Sequence, residues 1–280
     1  MIIGNREIGY GSKPVISAEL GLNHNGDLDT ALKMIKSVAD NGGDGVKLQY
    51  FDPDDFITDK EKTYTYKQLT TEIPEKFGDQ KGIWTDGKTG QRYRQATVNY
   101  WQLFKDHQIS LDFVEQCKNE ADRLGLLFGV TCFSPKGVNE INEIGVDYFK
   151  MASQSFDDRE LATAMRETKK QLIFSTGHIS LKDLEDNKIG YLLSERQLVL
   201  HCVSEYPAKH SKLWKIPRMI KMGYLTGFSN HSIGIDNMVR ACELGAVFVE
   251  THYTLSQYDS GPDHSFSTTP SQLKELSQAI

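Results

Sequence analysis

The chain has 280 residues, of which 39% are hydrophobic and 25% are charged, and its formal net charge is −6. This composition supplies enough apolar surface for one large or two small globular domains, and a pI near 5.8 offers no basic surface for nucleic acid or an anionic membrane. Because no apolar stretch reaches the roughly 18 residues of a membrane span, and the start is not a basic-then-apolar signal, we expect a cytoplasmic protein that binds a small molecule.

Short apolar runs rich in strand-forming residues alternate with helix-like segments along the chain. The runs lie at 15–20, 45–50, 126–133, 148–153, 171–176, 197–203, 225–228 and 247–254. The helix-like segments lie at 29–42, 110–125, 139–145, 159–168, 181–193, 214–223, 237–245 and 271–280. The runs are continuously apolar, which is typical of parallel strands that are covered on both faces.

Eight strand-helix units predict an α/β fold, most economically a (β/α)8 TIM barrel formed by a single domain over residues 1–280. The connection between the second strand and the second helix, at about 51–108, is far longer than the others and is predicted to be an insertion. Connections of this length in a compact barrel commonly have a functional role.

The insertion contains a hairpin signal, TDGKTGQRY at 85–93. Arg92 and Arg94 flank Tyr93, so strand alternation predicts that both arginines point to one face. One hypothesis is that the hairpin covers the active site, donates an arginine to it, and packs on the rim through Trp84 and Trp101. The alternative is a peripheral hairpin used for packing or for oligomer contacts.

Active sites in this fold gather at the carboxyl ends of the strands, and all eight predicted ends carry polar residues. They are Glu19, Lys47, Gln49, Thr131, Lys150, Ser153, Ser175, Thr176, Ser204, Tyr206, Ser229, His231 and His252. Two lysines and several hydroxyls in one cavity suit a ligand that carries phosphate and carboxylate groups. Two histidines on neighbouring strands suit a catalytic divalent metal that polarises a carbonyl.

The strand-end sequences resemble the sialic acid synthase family in order and spacing. The strings that carry this resemblance are AELGLNHNGD at 18–27, VKLQYF at 46–51, FKMAS at 149–153, FSTG at 174–177, HCVSEYP at 201–207, FSNHSIG at 228–234 and GPDHSFS at 261–267. The resemblance implies an enzyme that condenses phosphoenolpyruvate with an N-acetylated amino sugar aldehyde, giving a sialic-acid-like 2-keto sugar acid and phosphate. It also implies Mn²⁺ or Mg²⁺ as the cofactor and allows a homodimer.

The same resemblance assigns roles to residues of this chain. His231 and His252 are the expected metal ligands. The expected phosphoenolpyruvate-binding residues are Lys47, Thr131, Lys150, Ser153, Ser175, Ser204 and Ser229, and the groups expected around the acceptor and the reacting carbons are Glu19, Lys47, Gln49, Tyr206 and Asp263. Ser204 stands where many members of the family have asparagine, and either side chain can donate a hydrogen bond.

Three departures from the family pattern bear on function. Ser155 stands where the family commonly has a glutamate, and a hydroxyl cannot act as a base at neutral pH. Asn230 replaces the usual aspartate before the seventh-strand histidine, which removes a charge close to the expected metal. The family usually continues into an antifreeze-like domain, which is absent from the 280 residues of this sequence; a piece of a longer protein and a barrel-only relative are both compatible with this.

These departures leave two alternatives to the leading interpretation. The same chemistry on a different aldose acceptor is one, favoured by Ser155. The other is a barrel that binds sugar or phosphate without turnover, but His231, His252, Lys47 and Lys150 argue against it.

Overall fold

The computed structural model describes residues 1–72, 83–87, 89–186 and 197–280, and its centre is a closed barrel of eight parallel strands. In chain order the strands are β1 (Ile2–Ile3), β2 (Arg6–Glu7), β3 (Val15–Glu19), β4 (Gly45–Tyr50), β5 (Thr63–Leu69), β6 (Ile83–Thr85), β7 (Arg92–Asn99), β8 (Leu127–Cys132), β9 (Tyr148–Met151), β10 (Gln171–Ser175), β11 (Leu198–His201), β12 (Leu225–Asn230) and β13 (Phe248–His252). The barrel joins β3, β4 and β8 to β13 in chain order, and β13 closes it by pairing with β3. All eight strands predicted from the apolar runs are therefore confirmed as barrel strands.

Helices follow the barrel strands and cover the barrel. They are α1 (Leu28–Asp40), α2 (Tyr100–Asp106), α3 (Leu111–Arg123), α4 (Pro135–Ile144), α5 (Arg159–Glu167), α6 (Leu181–Glu185), α7 (Lys215–Lys221), α8 (Asp236–Glu243) and α9 (Pro270–Ala279). The helix after the third barrel strand, α4, begins earlier than predicted because Ser134 caps it and Pro135 opens it, a combination that favours a helix start. The helix predicted over 181–193 is seen only to Glu185, because residues 187–193 lie outside the described part of the chain.

The barrel strands are buried on both faces, which explains their continuously apolar sequence. Outward side chains pack against the helices in one large cluster that includes Phe149, Phe228 and Val249. Inward side chains at the amino ends form a second apolar layer that includes Tyr148 and Phe248. Two residues further along β9, β10 and β13 the inward positions become polar, as Lys150, Ser175 and Glu250, and this change of polarity places charged groups at one end of the barrel.

The insertion folds into an antiparallel sheet in the order β5-β7-β6, followed by α2. The predicted hairpin is confirmed by the pairing of β6 with β7, whereas β5 was not predicted. Its sequence, TYTYKQL, alternates in burial, and the strand also packs on the loop that follows β13, where Ser265 Oγ donates to Lys67 O at 3.1 Å. Part of the insertion, residues 73–82 and 88, lies outside the described part of the chain.

Within the residues described, we find no helix whose length and hydrophobicity would let it cross a bilayer.

Candidate active site

The carboxyl ends of the barrel strands open into a cavity of about 320 Å³, here called the central cavity. It brings together twelve of the thirteen residues that the resemblance assigned to metal, substrate or catalysis. Those lining it are Glu19, Lys47, Gln49, Thr131, Lys150, Ser153, Ser175, Tyr206, Ser229, His231, His252 and Asp263. The remaining residue, Ser204, lies beside them, with its Oγ 3.1 Å from Ser153 Oγ. Thr176, the other polar strand-end residue, is buried and donates to the backbone oxygen of Leu200, which is a structural role.

Two buried lysines form the floor of the central cavity, and each has an acidic partner. Lys150 Nζ lies 2.7 Å from Glu250 Oε1, and Lys47 pairs with Glu19 and donates to Thr131 Oγ1 at 2.8 Å. Burial lowers the pKa of Lys47 to about 7, although Glu250 opposes the shift. Burial would raise the pKa of Glu250, but the two lysines outweigh it and leave that pKa at about 2. The floor therefore holds a carboxylate beside cations.

Glu250 is the site residue that sequence reasoning missed. It is 5% exposed, its Oε1 accepts from Ser229 Oγ at 3.0 Å, and its Oε2 has no hydrogen-bond partner within the described ranges. A signal was present, because Glu250 and His252 stand two residues apart on β13 and therefore point to the same face. A charged residue inside the run VFVETHYT, on the face of an expected metal ligand, indicates a site position.

The serines form a group of hydroxyls beside the lysines. Ser175 Oγ is buried and has no hydrogen-bond partner in the parts of the chain described here, so its hydroxyl is available to a ligand. Ser153 and Ser204 approach each other across Gly177, where a Cβ atom would lie 2.1 Å from Ser204 Oγ. Only glycine fits at residue 177 without moving these hydroxyls, because contacts that short do not occur between real side chains.

The two histidines line the same cavity with ring centroids 5.8 Å apart, and Ser229 Oγ lies 3.5 Å from His231 Nε2. His231 Nδ1 is 2.6 Å from Val203 O, so this nitrogen carries the proton and Nε2 keeps its lone pair. Burial and His252 lower the pKa of His231 to about 3, which keeps the ring neutral. His252 Nδ1 is 3.4 Å from Asp263 Oδ2.

These features fit two imidazole ligands of a divalent ion with further coordination positions open. A neutral imidazole whose second nitrogen is held by a carbonyl is the usual form of a metal-binding histidine. The described residues hold no group of three His, Cys, Asp or Glu side chains arranged as a complete metal site. Asn230 points away from the cavity: its amide donates to Ser232 O at 3.0 Å and accepts from Ser232 Oγ at 2.6 Å. It therefore shapes the turn that carries His231.

Tyr206 and Asp263 border the cavity next to the histidines. The ring of Tyr206 stacks on His231 with centroids 4.2 Å apart, and the residue is 49% exposed, so it stands at the cavity mouth. Although half of the residue is exposed, Tyr206 also lines the cavity, and loss of water there raises the pKa of its phenol, which keeps the hydroxyl protonated. Burial would also raise the pKa of Asp263, but His252 outweighs burial and lowers it, so Asp263 is an anion.

Of the two interpretations of the hairpin, the described residues favour the peripheral one over the one in which it donates an arginine to the active site. Neither Arg92 nor Arg94 is among the residues that line the central cavity; Arg94 instead donates to Gln68 at 3.4 Å and to Glu72 at 3.3 Å. The hydrogen bonds to Gln68 and the ion pair with Glu72 hold Arg94 on the inserted sheet. Ser155 also lies away from the lining, whereas its neighbour Gln154 contributes to it.

The contacts of the two tryptophans lie within the insertion itself and do not bear out the prediction that they pack the hairpin on the barrel rim. Trp84 stacks on Tyr93 within the inserted sheet, with ring centroids 5.9 Å apart. Trp101 Nε1 donates to Asp54 at 2.9 Å, and Lys60 lies over its ring. Trp101 therefore joins α2 to the first residues of the insertion, while Trp84 packs within the inserted sheet.

Comparisons with known proteins agree with this arrangement of residues. The model of the NeuB family matches residues 34–280. The N,N'-diacetyllegionaminic acid synthase of Campylobacter jejuni is 31% identical over 275 residues, which cover 96% of this chain and 75% of that protein. The pseudaminic acid synthase of Helicobacter pylori is 27% identical, with 95% of this chain and 73% of that protein covered.

A solved structure supports the same relationship. The N-acetylneuraminic acid (sialic acid) synthetase of Leptospira borgpetersenii serovar Hardjo-bovis, crystallised with citrate, superposes with a TM-score of 0.78 at 27% identity and covers all of this chain and 86% of the synthetase. A 3-deoxy-D-arabino-heptulosonate 7-phosphate synthase from Thermotoga maritima, at 12% identity and a TM-score of 0.64, shows only the shared barrel fold. The family match, which covers most of the chain, and the named relatives together show that this chain belongs to the NeuB family of sialic acid synthases.

Proposed function

We propose that this chain condenses phosphoenolpyruvate with an N-acetylated amino sugar aldehyde in a metal-dependent reaction that yields a sialic-acid-like 2-keto sugar acid and phosphate. The observation that carries this proposal is the meeting of two sets of side chains in the central cavity. Buried lysines and hydroxyls form one set, here called the lysine side, and two histidines with an adjacent aspartate form the other, the histidine side. The relatives are named as synthases of legionaminic and pseudaminic acid, which supports the same class of reaction.

The lysine side suits phosphoenolpyruvate. Lys47 and Lys150 supply positive charge, and Thr131, Ser175 and Ser229 supply directed donors for phosphate and carboxylate oxygens. Before the substrate arrives, Glu19 and Glu250 balance the lysines. A trianionic ligand would compete with these carboxylates for the ammonium groups of the two lysines.

The histidine side suits the acceptor aldehyde. His231 and His252 would hold Mn²⁺ or Mg²⁺, and a divalent ion there would polarise the aldehyde oxygen of the acceptor. Tyr206, Gln49 and Asp263 surround this region and offer donors and an acceptor for the sugar hydroxyls. Binding both substrates in one cavity would hold the two reacting carbons next to each other, so that they need not meet by diffusion.

The reaction balances as one phosphoenolpyruvate, one aldehyde and one water giving one 2-keto acid and one phosphate. The methylene carbon of phosphoenolpyruvate forms a bond to the aldehyde carbon, whose oxygen becomes a hydroxyl. Water adds to the former enol carbon, and phosphate then leaves with cleavage of its carbon-oxygen bond. Lys47 and Lys150 would stabilise the negative charge on the departing phosphate, because they are buried and already oriented.

The test is product identification with a panel of aldoses. Purified protein, Mn²⁺ and phosphoenolpyruvate are incubated with N-acetylmannosamine, mannosamine, mannose or arabinose, and both phosphate release and product mass are measured. The expected product has the mass of the acceptor plus pyruvate, with phosphate released in equal amount. Phosphate release with mannose or arabinose, but with neither amino sugar, would favour the same chemistry on a different aldose acceptor. Binding of both substrates without phosphate release would favour a non-catalytic barrel.

A pair of lysine variants distinguishes a specific loss of phosphoenolpyruvate binding from general damage to the protein. Lys150→Ala should raise the KM for phosphoenolpyruvate at least tenfold, because a hydrogen bond to a charged group contributes about 1.5–3 kcal/mol. Lys274→Ala, which changes an exposed lysine of α9, is the matched control and should behave like the parent. If Lys150→Ala changed only the KM of the acceptor, the assignment of the two sides would be wrong.

A further inference from the structure

One part of the wall of the central cavity is built by the insertion rather than by the barrel. Tyr64 of β5 and Tyr100, Leu103 and Phe104 of α2 line the cavity there. We infer that Tyr64 and Tyr100 are specificity-determining residues that select an acceptor sugar with an apolar substituent, such as the methyl group of an acylamino or deoxy position. The inference rests on the proposed function and names the substrate class of the same site.

The distribution of chemistry around the cavity favours this assignment. The lining residues that carry charge lie on barrel strands or on the loop after β13, whereas the insertion contributes two phenols, one phenyl ring and one leucine. A phosphate placed against such a wall would lose its hydration without gaining charge compensation. Phosphoenolpyruvate would therefore bind at the lysine floor, and the acceptor sugar would bind against the wall formed by the insertion.

The wall is rigid enough to discriminate between ligands. The rings of Tyr64 and Tyr100 have centroids 5.8 Å apart, and Tyr100 packs edge-on against Phe104 at 5.0 Å. Behind them lies a separate hydrophobic cluster built around Leu22, Phe51 and Leu103. Aromatic pairs at these spacings stabilise each other, so the rings are held in place before a ligand binds.

The wall is also tied to the acidic residue beside the histidines. β5 is attached to the loop after β13 by the hydrogen bond from Ser265 to the backbone of Lys67 and by a hydrogen bond of 3.4 Å from Gln68 Nε2 to Asp259 O. That loop carries Asp263. Burial raises the pKa of both Tyr64 and Tyr100, and Asp263 adds to the increase, as expected for phenols that face its carboxylate.

An acceptor held between Asp263 and the two tyrosines would have its hydroxyls near the carboxylate and its apolar parts on the rings. Sugars have hydrophobic C–H faces, and an acylamino group adds a methyl that aromatic side chains bury well. In enzyme pockets one methylene changes kcat/KM by about 10–200-fold. We therefore expect the parent to prefer N-acetylmannosamine to mannose by at least about tenfold.

The experiment measures kcat/KM for N-acetylmannosamine and for mannose in the parent and in four variants. Tyr64→Ala and Tyr100→Ala should reduce the preference at least about fivefold while the KM for phosphoenolpyruvate stays within about twofold of the parent value. Tyr64→Phe, which keeps the ring, should retain the preference. Thr65→Ala is the matched control, because Thr65 lies next to Tyr64 on β5 but is exposed and bonded to Thr97 at 2.9 Å.

The outcomes separate this inference from the proposed function. Turnover by the parent with an unchanged preference in both alanine variants would overturn the inference and leave the proposed function standing. An equal rise of the phosphoenolpyruvate KM would also overturn it, since it would show a structural role for the tyrosines. If the parent releases no phosphate with either sugar, the proposed function fails, and calorimetric binding of the two sugars in the presence of phosphoenolpyruvate and Mn²⁺ decides the inference alone.

Discussion

Lys150 Nζ and Glu250 Oε1 lie 2.7 Å apart at the floor of a cavity that is lined for an anionic substrate. Both side chains are almost completely buried. A carboxylate in an anion-binding site weakens the attraction for the substrate, so its presence needs a physical reason. The reason is that two lysines buried without counter-charges would destabilise the empty protein, and Glu250 neutralises part of that charge until the substrate binds.

Glu250→Gln should therefore destabilise the empty protein more than the protein loaded with phosphoenolpyruvate. Glutamine keeps the size of the side chain but removes its charge, and breaking a buried ion pair costs about 3–5 kcal/mol. Urea unfolding should show a loss of this order without ligand and a clearly smaller loss with saturating phosphoenolpyruvate, whose anionic groups replace the carboxylate. Equal losses under both conditions would contradict the role of Glu250 as a counter-charge.

Lys47 should take up a proton when phosphoenolpyruvate binds at pH 8. Burial lowers the pKa of Lys47 to about 7, so most of this lysine is neutral at pH 8 in the empty protein. The bound anion favours the charged form and raises the pKa, whereas free phosphoenolpyruvate is already fully ionised at this pH. Affinity should therefore fall as the pH rises above 7, by up to about tenfold per unit.

Calorimetric titration at pH 8 in two buffers of different ionisation enthalpy measures this proton uptake directly. Lys47→Arg is the informative variant, because a guanidinium stays protonated and should bind without uptake. If the parent binds phosphoenolpyruvate at pH 8 with the same enthalpy in both buffers, no proton is taken up and the proposed titration of Lys47 is wrong.

The fold was readily predicted from sequence because each barrel strand is a continuous apolar run that ends in a polar residue. The pairs Lys47 with Gln49 and Ser229 with His231 stand two residues apart, so period-two alternation points both members of each pair into the barrel. Glu250 follows the same rule but was overlooked. Tyr64 could not be found in this way, because its place in the cavity depends on how the inserted sheet packs against the loop after β13, and no local pattern encodes that contact.

His231→Ala and His252→Ala should each abolish Mn²⁺ binding and phosphate release without unfolding the protein. Loss of a hydrogen-bond partner of a metal ligand typically weakens metal binding 10–100-fold, and loss of a ligand itself should exceed this. Mn²⁺ binding followed by electron paramagnetic resonance is the measurement, and His210→Ala, an exposed histidine, is the control. Chelation of the parent should stop phosphate release, and added Mn²⁺ should restore it. If the two alanine variants bind Mn²⁺ as tightly as the parent, His231 and His252 are not the metal ligands.

Gly177→Ala should weaken phosphoenolpyruvate binding by displacing two hydroxyls. The added Cβ would lie 2.1 Å from Ser204 Oγ and 2.8 Å from Ser153 Oγ, so the serines must move apart. Overpacking of this kind costs about 1–3 kcal/mol, and we expect the KM for phosphoenolpyruvate to rise about tenfold while the KM of the acceptor changes little. Gly9→Ala, where a Cβ would have no neighbour within 4 Å, is the control.

A double-mutant cycle identifies which contact is responsible for the effect of Gly177→Ala. Removing Ser204 Oγ eliminates the shortest clash, so Ser204→Ala combined with Gly177→Ala should have nearly the same phosphoenolpyruvate KM as Ser204→Ala alone. Effects that simply add would mean that the new methyl group acts elsewhere, for example on Cys202, whose Sγ is 2.9 Å from the same position. Near-complete coupling would show that the added methyl group acts through the hydroxyl of Ser204, which lies 3.1 Å from the hydroxyl of Ser153 in the cavity lining.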